Sequence, residues 1–408
     1  MLRWRREPGR TTAAAVASVL LALARAPPLA AAAAPWTHGW STALEAQFVD
    51  YGYSVLTAEQ AANVAAHYQV VSLEKCTGPG PTEPNVWATA AQLKAIKPAL
   101  KVLFYWDTDQ SALTCYAQHA AYMARPDFWL RDDAGQLTFN SSDGVPHMDY
   151  TSAAARAWWV SVPLNGTDGT QPAARLVDGV LADGTGSRCP SSSDGGAGLS
   201  PARCAALIAA KSTMVRELQA LLDSVNGGSV LGNGLDLYGG LLSGDDNLYT
   251  LADMDGIMGE HFAVFESVLQ DGSLNVSRVA EFMADVGVAA AAGKTVVVAL
   301  WPGLCVTPFT PQGWPSWPGN TQPNTTDGWR AALLANHTFA LAAFLVVAEP
   351  NVWMQYEGWY NGLSQGAIEC PSSPESCAAP TPWYPELFSP LRTFFYFILT
   401  SCVARSNP

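Results

Sequence analysis

A (β/α)8 TIM barrel with long, disulfide-stapled βα loops is the α/β fold that this sequence of 408 residues predicts, and three features of the chain predict it. Short apolar runs rich in β-branched residues recur along the chain, bounded by turns of Asp, Gly, Trp or Pro. Longer Ala/Leu-rich stretches with helical spacing separate them. No Gly-rich phosphate-binding turn follows any early run, which favours a closed barrel over the runner-up, an open doubly wound sheet. Regular alternation of strand and helix means parallel strands joined by crossover helices.

In chain order the predicted strands are 48–55 (the weakest), 69–75, 101–107, 176–183, 229–233, 255–260, 295–301 and 352–357. The predicted helices are 57–68, 89–96, 152–162, 201–225, 277–292 and 327–347, several opened by Ser, Thr or Asp at the cap. The first begins Thr57-Ala58-Glu59-Gln60, the order of a capping box. Two stretches, 110–150 and 305–326, break the alternation with their Pro, Trp and Gly density and are expected to be long βα loops. In a barrel such loops gather at the C-terminal mouth.

Residues 1–34 read as a secretory signal. Arg3, Arg5, Arg6 and Arg10 precede an apolar run over 13–24, and alanines continue to Ala34. That run is about half of the ~20 residues needed to cross a bilayer, and Arg25, Pro27 and Pro28 end it. The expectation is a cleaved signal peptide followed by one domain over 35–408, secreted or extracellular, monomeric and free of the membrane. Five sequons, at Asn140, Asn165, Asn275, Asn324 and Asn336, fit that route and a glycoprotein.

The formal charge of −13 falls to about −17 once the arginine-rich leader is removed, and the 22 basic residues are scattered. Nucleic-acid binding needs clustered Lys and Arg, so that class is excluded. Eight cysteines show no paired C-x-x-C spacing, which points to disulfides and away from zinc. Cys189 with Cys204 and Cys370 with Cys377 have the separation of local loop staples. Cys76 with Cys115 and Cys305 with Cys402 are one way to complete a set whose connectivity the sequence leaves open.

The chemistry is signalled by an echo. Asp178-Gly179-Val180-Leu181-Ala182-Asp183 and Asp255-Gly256-Ile257-Met258-Gly259-Glu260 share the form Asp-Gly-x-x-x-acid. The apolar residues between the acids call for burial on both faces, so each strand belongs inside a sheet and delivers its last carboxylate to the mouth. Asp178 and Asp255 then lie at the opposite end. One strand-end acid alone is as well explained by a turn or a helix cap. Two on matched strands converge on one rim, and a carboxylate pair flanking a glycosidic bond can attack the sugar and protonate the leaving oxygen.

Other predicted strand ends suit sugar binding: Glu74 and Lys75, Trp106 and Asp107, Asn233, Trp301, Tyr356 and Glu357. His261, next to Glu260, is a further candidate, although adjacent strand residues point to opposite faces. Asp149, before Tyr150-Thr151-Ser152, is expected to serve the start of a helix. Fifteen tryptophans include several in Gly/Pro-rich loops, each of them more simply a packing anchor but together favouring an aromatic cleft. No Gly-x-Ser-x-Gly, His-Glu-x-x-His or Walker sequence is present, and the six histidines never pair at metal-ligand spacing. No metal or cofactor is expected.

At these motifs the chain resembles the hypothetical glycosyl hydrolase 15 family and, more distantly, endo-polygalactosaminidase and α-galactosidase type barrels. The matching pieces are Val70-Val71-Ser72-Leu73-Glu74-Lys75, Phe104-Tyr105-Trp106-Asp107, Asp149 to Trp159, Asp178 to Asp183, Ile257-Met258-Gly259-Glu260 and Trp353 to Trp359. The better understood relatives carry a nucleophile at the end of strand four and an acid/base at the end of strand six. The resemblance therefore implies Asp183 and Glu260 in those roles, in a retaining glycoside hydrolase acting on an oligo- or polysaccharide. Cys-rich insertions around 189–204 and 370–377 depart from the pattern, and substrate identity does not transfer with a fold. The alternatives are a non-catalytic carbohydrate-binding or wall-associated barrel, and a secreted structural glycoprotein without a site.

Overall fold

The computed structural model describes residues 36–37, 46–49, 56–73, 75, 80–109, 113–139, 144–165, 176–185, 189, 198–225, 227–234, 253–262, 276–300 and 342–356. Among the described residues eight strands form one sheet: β1 (Ala46–Val49), β2 (Val70–Leu73), β3 (Lys101–Asp107), β4 (Gly179–Asp183), β5 (Ser229–Asn233), β6 (Gly256–Phe262), β7 (Thr295–Leu300) and β8 (Val352–Tyr356). They pair in sequential order through seven parallel ladders. Seven steps of about 4.8 Å would hold the edges of a flat sheet roughly 34 Å apart. Cα atoms of β1 and β8 instead come within 8 Å of one another, so the sheet curls back on itself.

The strands form where the sequence is apolar on both faces. In β3 every residue from Val102 to Asp107 is buried, because the sheet is covered on both sides. Alternate residues serve two different cores. One set, including Val71, Phe104, Trp106, Val180 and Val230, packs outward against helix residues such as Leu93, Trp159, Leu218 and Leu222. The other set, Val70, Leu103, Tyr105, Leu181, Leu231, Met258, Val297, Ala299 and Trp353, lines the concave side.

The described helices include α1 (Ala58–His67), α2 (Thr82–Ile96), α3 (Gln118–Met123), α4 (Ala153–Asn165), α5 (Pro201–Val225) and α6 (Val276–Ala291). The capping box expected at Thr57 is present: its hydroxyl accepts from Gln60 N at 3.2 Å, and the Gln60 amide oxygen accepts from Thr57 N at 2.8 Å. Helix α2 starts seven residues before its expected position at 89, at Thr82. Pro81 and Pro84 read as loop residues in sequence, yet proline's missing N–H has no partner to lose in a first turn. Of the helix expected over 327–347, residues 342–347 are described and are helical.

The stretch 110–150, expected to be a plain loop, carries α3 and three antiparallel bridges, Trp129 to Met148, Arg131 to Leu137 and Phe139 to Pro146. Its aromatics dock it on α4, with the Tyr122 and Phe128 rings 5.0 and 5.9 Å from that of Trp158. Cys189 and Cys204 form a disulfide, and Cys115 is also disulfide-bonded. Cys76, Cys305, Cys370, Cys377 and Cys402 lie outside the described residues, as do the leader at 1–34 and the stretch 305–326. Among the described residues no helix is long and apolar enough to cross a membrane.

Glu83 in the first turn of α2 is 1% exposed, and its carboxylate accepts from Ala117 N at 2.8 Å and Gln118 N at 3.2 Å, at the start of α3. Burial pushes this carboxyl above its ordinary value of 4.5, and the two backbone donors oppose the shift only in part. The folded state therefore holds the proton more tightly than the unfolded chain does. Glu83's contribution to stability is complete below about 4.5 and is lost as pH rises through the higher folded value. Urea midpoints measured across that range should fall more steeply with rising pH in the wild type than in Glu83→Gln, and parallel curves would contradict the assignment.

Candidate active site

At the N-terminal end of the sheet the two leading acids of the echo have structural partners. Asp178 accepts from Lys94 at 2.5 Å, Lys101 at 3.3 Å and Val102 N at 2.9 Å, tying α2 and β3 to the start of β4. The Asp255 carboxyl is pushed up by burial, against a hydrogen bond from Ser229 and the charge of Lys294. Asp149 likewise holds the turn before α4, accepting from Thr151 N at 3.0 Å.

The C-terminal end is different. Asp183 is the last residue of β4, and Leu181, two residues earlier, lies on the concave side. Among the described residues, three donors converge on its carboxylate. Tyr105 donates its hydroxyl to Oδ2, Asn233 donates its amide to Oδ1 at 2.8 Å, and Gly184 N donates to the same Oδ1 at 2.8 Å. Each donor comes from a position that the fold supplies. Tyr105 follows Leu103 on the concave face of β3, Asn233 follows Leu231 and closes β5, and Gly184 makes the turn at φ +67°. A Cβ on Gly184 would lie 2.8 Å from an Asp109 carboxylate oxygen, so glycine is required there for space as well as for backbone conformation.

Lys75 extends the network. Its ammonium lies 3.3 Å from the Tyr105 hydroxyl, to which it donates, and 4.5 Å from the centre of the Tyr105 ring. Asp107 closes β3 in register with Asp183, is 6% exposed, and turns Oδ1 to accept Asp109 N at 2.6 Å. Thus Lys75, Asp107, Asp183 and Asn233 are brought together, with Tyr105 as the residue that sequence reasoning missed. Its signal was legible: Tyr105 sits two residues before Asp107 in one strand and so shares its face.

Trp106 requires a correction. Its neighbour relationship to Asp107 puts it on the opposite face of β3, where the ring is 2% exposed, lies 6.2 Å from the Trp159 ring, and donates Nε1 to Trp159 O at 3.0 Å. It is an anchor between sheet and helices and does not reach the mouth. Glu260 and His261 fall within β6 and Tyr356 ends β8, but their side chains lie outside the described residues. Glu74, Trp301 and Glu357 lie outside them entirely. Among the described residues no group of three or more His, Cys, Asp or Glu could hold a metal ion.

A sheet of this topology with a tightly held carboxylate at the end of its fourth strand accompanies a family match that makes the protein a glycoside hydrolase, an enzyme cleaving glycosidic bonds. The chain belongs to the hypothetical glycosyl hydrolase family 15, whose family model matches residues 94–367 and so spans both Asp183 and Glu260. No curated protein matches the sequence. Similar solved structures include the noncanonic maltogenic α-amylase AmyB of Thermotoga neapolitana, 13% identical with a TM-score of 0.46 over 86% of this chain and 75% of that one. A GH31 dextranase of Flavobacterium johnsoniae is 12% identical with a TM-score of 0.46, over 79% of this chain but only 37% of the dextranase. An Anoxybacillus α-amylase is 10% identical with a TM-score of 0.45, over 87% of this chain and 78% of that one. At these values no residue role passes from them to this chain.

Proposed function

We propose that the protein is a secreted retaining glycoside hydrolase acting on an oligo- or polysaccharide, with Asp183 as nucleophile and Glu260 as general acid/base at the mouth of a closed (β/α)8 barrel. The observation that carries this reading is the Asp183 carboxylate, presented at the C-terminal end of β4 and held by Tyr105, Asn233 and Gly184. Three donors fix the carboxylate in one orientation before a sugar arrives. Glu260 lies two strands further on in β6, two residues beyond Met258, whose side chain belongs to the concave cluster.

In the first step the Asp183 carboxylate attacks the anomeric carbon while Glu260 gives its proton to the departing oxygen. In the second, Glu260 takes a proton from water as that water displaces Asp183. Lys75, Asp107 and Asn233, which lie beside Asp183, are proposed to bind hydroxyls around the bond, with Glu74, His261, Trp301, Tyr356 and Glu357 completing the cleft. The apolar leader, the sequons and the Cys189–Cys204 disulfide support secretion and loop stapling.

The test is hydrolysis of a panel of α- and β-linked polysaccharides, amino-sugar polymers included, with the anomer released first identified by proton NMR. Cleavage with retained configuration is expected. No cleavage of any member, or an inverted first product, would overturn the corresponding part of the reading. Tyr105→Phe tests the support given to Asp183: kcat should fall about 10- to 100-fold with KM nearly unchanged, because the donor is lost at the reacting carboxylate. A KM effect alone would place Tyr105 in substrate binding.

A further inference from the structure

Behind the end of β4 lies a second polar cluster that the reaction scheme does not use. Helix α5 buries one face through Leu207, Met214, Val215, Leu218 and Leu222, and Lys211 interrupts that apolar stripe. Its side chain is 4% exposed. A leucine or methionine would continue the stripe without the cost of burying an ammonium, so packing alone does not account for a lysine here. The ammonium donates to Gly184 O at 2.9 Å and to Asp109 Oδ1 at 2.7 Å, and it lies 5.1 Å from the centre of the Tyr150 ring. Tyr150 donates to the same Asp109 oxygen at 2.8 Å.

These contacts bear on one turn. Thr108 N donates to Asp183 O at 2.9 Å, the Thr108 hydroxyl lies 2.8 Å from both Asp183 O and Gly184 O, and Lys211 takes Gly184 O from the helix side. With both carbonyls of the Asp183–Gly184 turn held, the Gly184 N–H is left aimed at the Asp183 carboxylate. We propose that Lys211 is a positioning residue for glycosidic cleavage: through the Gly184 carbonyl it fixes the peptide that follows Gly184, and so, together with Thr108 on the Asp183 carbonyl, the turn whose N–H holds the Asp183 carboxylate. This rests on the reading of Asp183 as the nucleophile.

The experiment is an NMR titration of protein labelled with 13C at the aspartate carboxyls, the Asp183 signal being assigned by its loss in Asp183→Asn. In Lys211→Met the Asp183 midpoint should rise by about half a pH unit or more, since a cation beside the turn is removed and the Gly184 N–H is no longer held in its aim at the carboxylate. The paired variant Lys211→Met with Asp109→Asn, which leaves no uncompensated charge, should show a smaller rise in the same direction, from the lost positioning alone, and serves if the single variant does not fold. On any polysaccharide the wild type cleaves, kcat should fall about 10- to 100-fold with KM within a factor of about two. A merely structural lysine would lower the melting temperature and leave the midpoint in place, and an unmoved midpoint in a folded variant overturns the proposal. Cleavage retained by Asp183→Asn would instead overturn the nucleophile reading, while the titration would still report on the coupling.

Discussion

Asp183→Asn should lower kcat by about 10⁴-fold or more while leaving the melting temperature within a few degrees of the wild type. The amide keeps the shape of the carboxylate, and its oxygen can still accept from Asn233 and Gly184 in place of Oδ1. Its NH2 group then faces Tyr105, whose hydroxyl can accept from it but loses the carboxylate to which it donated, so the stability cost should be about 1 to 2 kcal/mol. What is lost is the charge and the lone pair that would bond the anomeric carbon. A variant within tenfold of wild-type turnover, measured on the best substrate of the polysaccharide panel, would remove Asp183 from the reaction.

Glu260→Gln should distinguish itself by its dependence on the leaving group. On natural saccharides, whose departing oxygen needs a proton, kcat is expected to fall about 10²- to 10⁴-fold. On aryl glycosides that leave as weakly basic phenolates the first step needs no acid, so the loss there should be much smaller and the glycosyl enzyme should accumulate. The alkaline limb of the pH–rate profile should also disappear. Equal losses on both substrate kinds, with that limb intact, would assign Glu260 to binding.

These expectations trace back to features of unequal legibility. The runs at 101–107 and 229–233 match β3 and β5 residue for residue, and the other strands differ from their expected bounds at one or both ends. Position within an apolar run was enough to place Asp183 and Asn233 at strand ends and to assign Asp178 to the opposite end. It was not enough for Trp106. That residue is next to an acid in a fully buried strand, where the sequence shows no alternation of apolar and polar residues to tell the two faces apart. The start of α2 was hidden for a related reason: prolines at its first turn obey the rules of helix ends, while the surrounding composition reads as loop.

Local patterns of burial and turn chemistry, readable along the chain, were enough for the parallel α/β class, the order of the strands and the acid that ends β4. Which face of β3 points to the concave side, and with it that Tyr105 and not Trp106 meets Asp183, emerges from long-range packing. That packing also brought Lys211 on α5 against Gly184, 27 residues away in the chain. Such contacts follow from how strands and helices pack across the sheet, and no short window of sequence contains the partner that a side chain will meet.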